Sequence, residues 1–301
     1  DTALDQILAL DREHRKLLHE AEDLRAKRNE VSKDLGRVKN ESPETFERLR
    51  AEMREVGDHI STLETVIAEQ ESRLQDLLLQ LPNLPDASVP EGESEEDNVL
   101  VRSEGTPRAF EFTPLPHWDL GERLDIIDFD RGVKLSGSRF YVLKGAGARL
   151  QRALITWMLD VHIARGYTEV YVPALVKGEV MQGAGQLPKF FDNLYRDAEE
   201  DLYLIPTAEV PVTNLYRDEI LSPGSLPIYH VAYTPCFRRE KVSAGRDVRG
   251  IKRVHQFDKV EMYKFVEPDH SYQELERMLA DAEALCRLLD IPHRVVQICT
   301  G

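Results

Sequence analysis

The sequence predicts an α+β chain in which an N-terminal antiparallel two-helix coiled coil precedes an antiparallel sheet with flanking helices. Three observations carry this. Two long heptad segments, 1–40 and 43–81, are separated only by Asn40-Glu41-Ser42-Pro43. Beyond residue 98, β-rich runs alternate irregularly with helical patterns, which favours α+β over a regular βαβ winding. Between the two parts, residues 82–98 are rich in Pro, Glu, Ser and Asp and lack an apolar period. The expected organisation is an arm at 1–81, a linker at 82–98 and a second domain at 99–301.

In the first arm segment Leu10, His14, Leu17, Ala21, Leu24, Arg28, Val31, Leu35 and Val38 follow alternating four- and three-residue steps. Phe46, Leu49, Met53, Val56, Ile60, Leu63, Ile67, Gln70, Leu74, Leu77 and Leu81 do the same in the second. A 3.5-residue repeat with charged flanks is the mark of a coiled coil. The short break forces a hairpin, with Ser42 as N-cap and Pro43 at the first helical position. Each helix should run roughly 60 Å at 1.5 Å per residue. His14, Arg28 and Gln70 interrupt the apolar seam. Toward the tip Arg25, Lys27, Arg28, Lys33, Arg37 and Lys39 form a basic cluster that could meet phosphates, or simply face solvent.

In the second domain, Gly147 to Arg165 reads as an amphipathic helix stopped by Gly166. Tyr167 to Pro173, Leu202 to Ile205, Ile228 to Cys236, Phe257 to Val266 and Arg294 to Cys299 read as strands. Ser271 and Glu274 form a capping-box pattern at the start of a last helix.

Composition narrows the function classes. With 301 residues and 42% hydrophobic content the chain can bury a sizeable core. No apolar run approaches the roughly 18 residues that span a bilayer. Cys236, Cys286 and Cys299 are too scattered for a disulfide framework or zinc knuckle, so a cytoplasmic location is expected. No GxGxxG or P-loop pattern is present. The net charge is −15, so any nucleic-acid surface must be a local patch. Both ends read as cut: Asp1 lies inside a helical pattern and Gly301 directly follows a strand.

The richest stretch is Tyr233 to Phe265. Strand period puts Arg238 and Glu240 on one face of the first run, and Phe257 and Glu261 on one face of the second. Two antiparallel strands joined by a 241–252 loop would aim an arginine, two carboxylates and a ring at one ligand. Arg238, Arg239, Arg246, Arg249, Lys252 and Arg253 crowd here in an acidic protein, and a guanidinium fork suits phosphate. A solvated basic hairpin is the plainer alternative. For Glu261 the plainer role is a salt bridge with Lys259 or Arg253, disfavoured by their close spacing along a strand.

Arg238-Arg239-Glu240, the loop Ser243-Ala244-Gly245-Arg246-Asp247 with Arg249-Gly250, and Val254-His255-Gln256-Phe257 resemble the second signature motif of class II aminoacyl-tRNA synthetases. They look like the seryl-tRNA synthetase version of that motif. His117-Trp118-Asp119-Leu120-Gly121, Ser136-Gly137-Ser138-Arg139-Phe140, Gly185 to Phe190, Leu204 to Glu209 and Phe257 to Glu261 resemble further family segments in family order. The resemblance implies a class II synthetase-type sheet in a 99–301 catalytic domain and a tRNA-binding arm at 1–81. It implies serine held by Thr207, Ala208, Glu209 and Glu261. ATP would meet Arg238, Arg239, Glu240, Val254, His255, Gln256 and Phe257, with Arg238 on the α-phosphate, Glu240 at the adenine end and Phe257 stacked on the base. The implied partners are tRNA(Ser), with tRNA(Sec) as a second candidate, serine, ATP and a second copy of the chain through the Gly166–Pro173 region. Magnesium is expected, with its ligand beyond Gly301.

Two departures stand out. Lys241-Val242 occupies a loop start where relatives carry small residues, and the third class II motif is absent, so the 301-residue chain alone is expected to be inactive. Two other functions compete with a serine–tRNA ligase: a paralogue that charges a carrier protein, and a non-catalytic RNA-binding or dimerising module.

Overall fold

The computed structural model describes residues 2–241 and 249–301, with the side chains of residues 36, 37 and 39–41 also outside the description. The chain divides into two compact units, Asp1–Leu84 and Pro85–Gly301.

The first unit is a helical hairpin. Helix α1 spans Ala3–Glu41 and α2 spans Pro43–Leu78. A capping box opens α1: the Thr2 hydroxyl accepts from Asp5 N while the Asp5 carboxylate accepts from Thr2 N. Ser42 closes α1 and opens α2, but its hydroxyl meets Thr45 Oγ1 at 2.9 Å rather than a helix N–H. Pro43 at the first position supplies the preset φ. The seam is the heptad seam, with Ala21, Met53, Ile60 and Leu63 buried. His14 Nε2 and Gln70 Oε1 are buried there without a hydrogen-bond partner, so these two positions interrupt it physically as well as in pattern.

The second unit begins with a tied-down segment. Ser94 caps a one-turn 3-10 helix at Glu95–Asp97. Thr300 N donates to Pro90 O at 3.0 Å and Gln297 Nε2 to Ser88 O at 3.0 Å. Strand β1 (Val99–Glu104) follows, then α3 (His117–Arg123), β2 (Ile127–Asp128), α4 (Phe129–Ser136) and β3 (Val142–Leu143). Helix α5 is Gly145–Ile163, and Gly166, at φ 93°, ends the turn after it. The expected strand Tyr167–Pro173 is much shorter: β4 is only Thr168–Glu169, and it pairs in parallel with a later strand. The elements β5 (Leu175–Lys177), α6 (Gly178–Gly183), β6 (Tyr195–Arg196), β7 (Leu202–Leu204) and α7 (Glu209–Thr213) complete the middle.

The architectural centre is the antiparallel pair β8 (Ile228–Phe237) and β9 (Gln256–Phe265), in unbroken register from Ile228↔Phe265 to Phe237↔Gln256. With β4 they give the sheet order β4-β8-β9, while β5-β7-β6 form a second small sheet. Helix α8 (Ser271–Leu288) and β10 (His293–Gln297), antiparallel to β1, close the chain.

One core cluster contains Met181, Tyr203, Ile205 and Val210, and another Val172, Ala208, Val212 and Ala232. These pin the 205–212 segment beneath β8. The Ser271–Glu274 capping box does not form. His270 is the N-cap, and Glu274 is buried instead, accepting from Tyr229 Oη at 2.7 Å and Lys264 Nζ at 3.0 Å and pairing with Arg277. Tertiary partners on β8 and β9 outbid a local cap because they satisfy the buried carboxylate with charge.

Candidate active site

The site is built where β8, β9 and the 205–209 segment meet. In antiparallel strands directly opposed residues share a face. Ala232↔Glu261, Thr234↔Lys259 and Cys236↔Phe257 are such pairs. Arg238 N donates to His255 O at 2.9 Å, which extends the pairing one step past the strand and keeps Arg238 on that face. Its guanidinium lies 5.0 Å from the Phe257 ring centroid, and Nε donates to Pro206 O at 3.3 Å.

Thr207 reaches the same face. Ile205 O accepts from Phe237 N at 2.8 Å, which lays residues 205–207 alongside the end of β8. The Thr207 hydroxyl, almost fully buried, donates to Glu261 Oε2 at 2.6 Å and accepts from Glu209 N at 3.2 Å. Lys259 Nζ lies 2.8 Å from Thr207 Oγ1 and 2.6 Å from Glu261 Oε2. The sequence reading disfavoured a Lys259–Glu261 pair, and here it is corrected. Residues two apart on a strand stand on one face about 7 Å apart, a gap that a lysine stem spans. Ala208 is buried, and Glu209 is exposed with no side-chain hydrogen bond or ion pair among the described residues.

A second correction concerns Glu240. It was expected to share a strand face with Arg238, but β8 ends at Phe237 and Glu240 adopts φ 51°. The chain has turned, and Glu240 Oε2 accepts from Arg253 Nη1 at 3.2 Å. Arg239 is exposed, its N–H on Asn193 O at 3.0 Å. His255 bonds Arg238 O through Nδ1 at 2.9 Å and packs 5.3 Å from Phe140; Val254 is buried and Gln256 exposed.

Asn193 was not singled out in the sequence, and Arg139, His117, Trp118, Arg249 and Gly250 were named there only as parts of family-like segments or of the basic crowd, with no contact assigned. Asn193 holds both Arg239 N and Lys241 N, and Arg139 accepts from His255 N through its carbonyl. His117 Nε2 accepts from Ile251 N at 2.9 Å, and Arg249 sits 5.7 Å over Trp118. Gly250, at φ 84°, is needed there, since a Cβ would meet His117 Nε2 at 2.1 Å. No local pattern marks these contacts, because each joins segments far apart in sequence. Val242 and the loop Ser243–Asp247 with Arg246 lie outside the described residues.

On the same face, burial pushes the Cys236 thiol up, so it stays protonated and adds no charge to the site. On the opposite face of β9, Asp258 accepts from Tyr233 Oη at 2.9 Å; burial first, then that bond, push Tyr233 up to about 12. A cavity of about 370 Å³ between α5 and β9 is lined by Leu150, Leu154, Met158 and Val260.

The serine–tRNA ligase of Roseiflexus castenholzii is 62% identical over 298 residues, covering 99% of this chain and 70% of that protein. The chain belongs to the seryl-tRNA synthetase family. The serine–tRNA ligase of Thermomicrobium roseum is likewise 62% identical, covering all of this chain and 67% of its own length. The seryl-tRNA synthetase N-terminal domain model matches residues 1–85, and the tRNA synthetase class II core domain model (G, H, P, S and T) matches 191–301. Among solved structures, the seryl-tRNA synthetase of Pyrococcus horikoshii complexed with ATP superposes with a TM-score of 0.91 at 39% identity. That match covers 99% of this chain and 71% of the other. The resemblance read from the sequence, its α+β fold and its enzyme class are borne out. These seryl-tRNA synthetase relatives do not favour the carrier-protein or non-catalytic readings.

Proposed function

We propose that this chain is part of an enzyme that activates serine with ATP and transfers it to tRNA(Ser), the third class II motif being needed besides these 301 residues. The observation that carries the proposal is the shared sheet face on which Thr207 and Glu261 meet at 2.6 Å while Arg238 covers Phe257. It offers a carboxylate and hydroxyl pair for an amino acid beside a guanidinium and an aromatic ring for a nucleotide. Glu261 and Thr207, with Ala208 and Glu209, take the serine ammonium and hydroxyl. Arg238 faces the α-phosphate, Phe257 receives the base, and Arg239, Glu240, Val254, His255 and Gln256 frame the nucleotide. For the base to stack on Phe257, the Arg238 guanidinium slides off the ring toward the phosphates.

A serine carboxylate oxygen attacks the α-phosphorus in line. The new P–O bond forms as the bond to pyrophosphate breaks, and pyrophosphate leaves with the electron pair. A ribose hydroxyl of the terminal adenosine of tRNA then attacks the acyl carbon and AMP departs. Positioning and charge stabilisation supply most of such catalysis.

Magnesium accompanies ATP in this reading, carried by the phosphate oxygens. Among the described residues the potential metal-ligand group is Glu104, Glu283 and His293, and it does not fit. Arg102 and Arg287 already hold its carboxylates, and it lies on β1, α8 and β10, away from the nucleotide face.

Residues 1–81 serve as the arm that meets tRNA, 82–98 join it to the chemistry, and 99–301 carry the chemistry. Arg28, Lys33, Arg37 and Lys39 are the arm's phosphate contacts. Arg25 and Lys27 belong to the same cluster but pair with Glu64 at 2.7 Å and Glu52 at 2.8 Å, so they must exchange a carboxylate for a phosphate. A second copy of the chain covers exposed Leu150 and Tyr171 in a homodimer. No helix among the described residues is long and apolar enough to cross a membrane, and a cytoplasmic site of action fits the tRNA substrate.

Serine-dependent ATP–pyrophosphate exchange by the enzyme with the third class II motif present, followed by charging of tRNA(Ser), tests the proposal. Exchange with another amino acid in place of serine overturns it. The same charging assay with tRNA(Sec) decides whether that second acceptor is used.

A further inference from the structure

We infer that the Lys259 ammonium is a resident placeholder, occupying the amino-acid ammonium's position until substrate displaces it. This rests on the reading of Thr207 and Glu261 as the serine pocket. A hydroxyl has one hydrogen to donate and two lone pairs. The Thr207 hydrogen goes to Glu261 Oε2 at 2.6 Å, and its lone pairs receive Glu209 N at 3.2 Å and Lys259 Nζ at 2.8 Å. The hydroxyl is therefore fully used. Lys259 also sits 2.6 Å from the Glu261 oxygen that Thr207 contacts. An incoming ammonium gains these two acceptors only by replacing the lysine.

The exchange is one cation for another, so the pocket keeps its net charge while it changes occupant. An empty pocket with Glu261 half-buried and unpaired would cost desolvation, and the lysine removes that cost. Lys259 can leave because its side chain is 32% exposed, against 17% for Glu261. Its stem stands on the face that carries Phe257 and Arg238, so the displaced ammonium stays beside the anionic reactants. Lys259 thus sets the affinity threshold that a bound ammonium must exceed.

The test uses L-serinamide, which keeps the ammonium and hydroxyl but has no carboxylate. Calorimetry on the enzyme and on Lys259→Met should show binding tightened about three- to fivefold by the substitution, the scale of a partly exposed ion pair. Lys259→Gln, which keeps a donor but no charge, should tighten it too and serves if the methionine variant folds poorly. A lysine that merely supports Glu261 structurally cannot produce tighter binding, so unchanged or weaker affinity in both variants overturns the inference. Glu261→Gln separates the two readings. If it weakens serinamide binding while the Lys259 variants fail to strengthen it, only the placeholder is wrong. If it has no effect, the serine pocket itself is misplaced.

Discussion

The Arg238 guanidinium rests 5.0 Å from the centroid of the Phe257 ring, although nineteen positions separate the two in sequence. The β8–β9 register makes them neighbours: Phe257 opposes Cys236, and Arg238 stands one same-face step further along. The ring shields the guanidinium on one side, and Pro206 O fixes Nε. The terminal nitrogens make no hydrogen bond among the described residues, leaving the fork for a phosphate.

Replacing Arg238 with alanine should therefore slow serine adenylation by roughly 10²–10³, the scale for losing one transition-state charge donor. Lysine should restore only part, since a point charge lacks the bidentate fork. Single-turnover adenylation rates measure both. Near-normal rates in the alanine variant would reduce Arg238 to a packing partner of Phe257.

Alanine should be a poor substrate. A pocket built around Thr207 and Glu261 leaves buried polar groups unpaired when the hydroxyl is missing, and such sites discriminate by roughly 10⁴ or more. Comparing kcat/KM for pyrophosphate exchange with serine and alanine checks this. Equal values would show that Glu261 does not read the hydroxyl.

Deleting residues 1–81 from the enzyme with the third class II motif present should leave serine-dependent exchange within a few-fold, because no residue of the proposed serine and ATP sites lies there. Charging of tRNA should fall sharply. The slope of log affinity against log salt should also flatten, by somewhat under one unit for each phosphate that the arm no longer neutralises. Charging that survives with an unchanged slope would make the hairpin a spacer.

Acid stability should depend on Glu274. Burial alone would raise its carboxyl, but hydrogen bonds from Tyr229 and Lys264 and the charge of Lys264 outweigh this and hold it at about 2. A folded pKa below the unfolded value of about 4.5 contributes stability that is complete above pH 4.5 and lost as pH falls toward 2. Glu283 acts in the same window, held at about 2 chiefly by its hydrogen bond from Arg102. Melting temperature should drop between pH 5 and pH 2, and Glu274→Gln should lower it at neutral pH while making the drop shallower. A Glu274→Gln profile parallel to the parent's would show that the carboxylate's ionisation contributes nothing.

The sequence by itself determined the arm, because a heptad repeat is a local property that 3.6-residue geometry converts directly into one buried seam. It determined β8 and β9 within a residue or so, and, through motif resemblance, the family. It also placed Phe257 and Glu261 on one face, since strand period is local too. Only the tertiary structure decided which partner each polar group takes. Glu240 leaves the strand through a positive φ and goes to Arg253, Glu274 abandons a cap for Lys264 and Arg277, and Lys259 turns onto Glu261 and Thr207. A buried charge goes where desolvation is best repaid, and that depends on which distant segments the fold brings within hydrogen-bond reach.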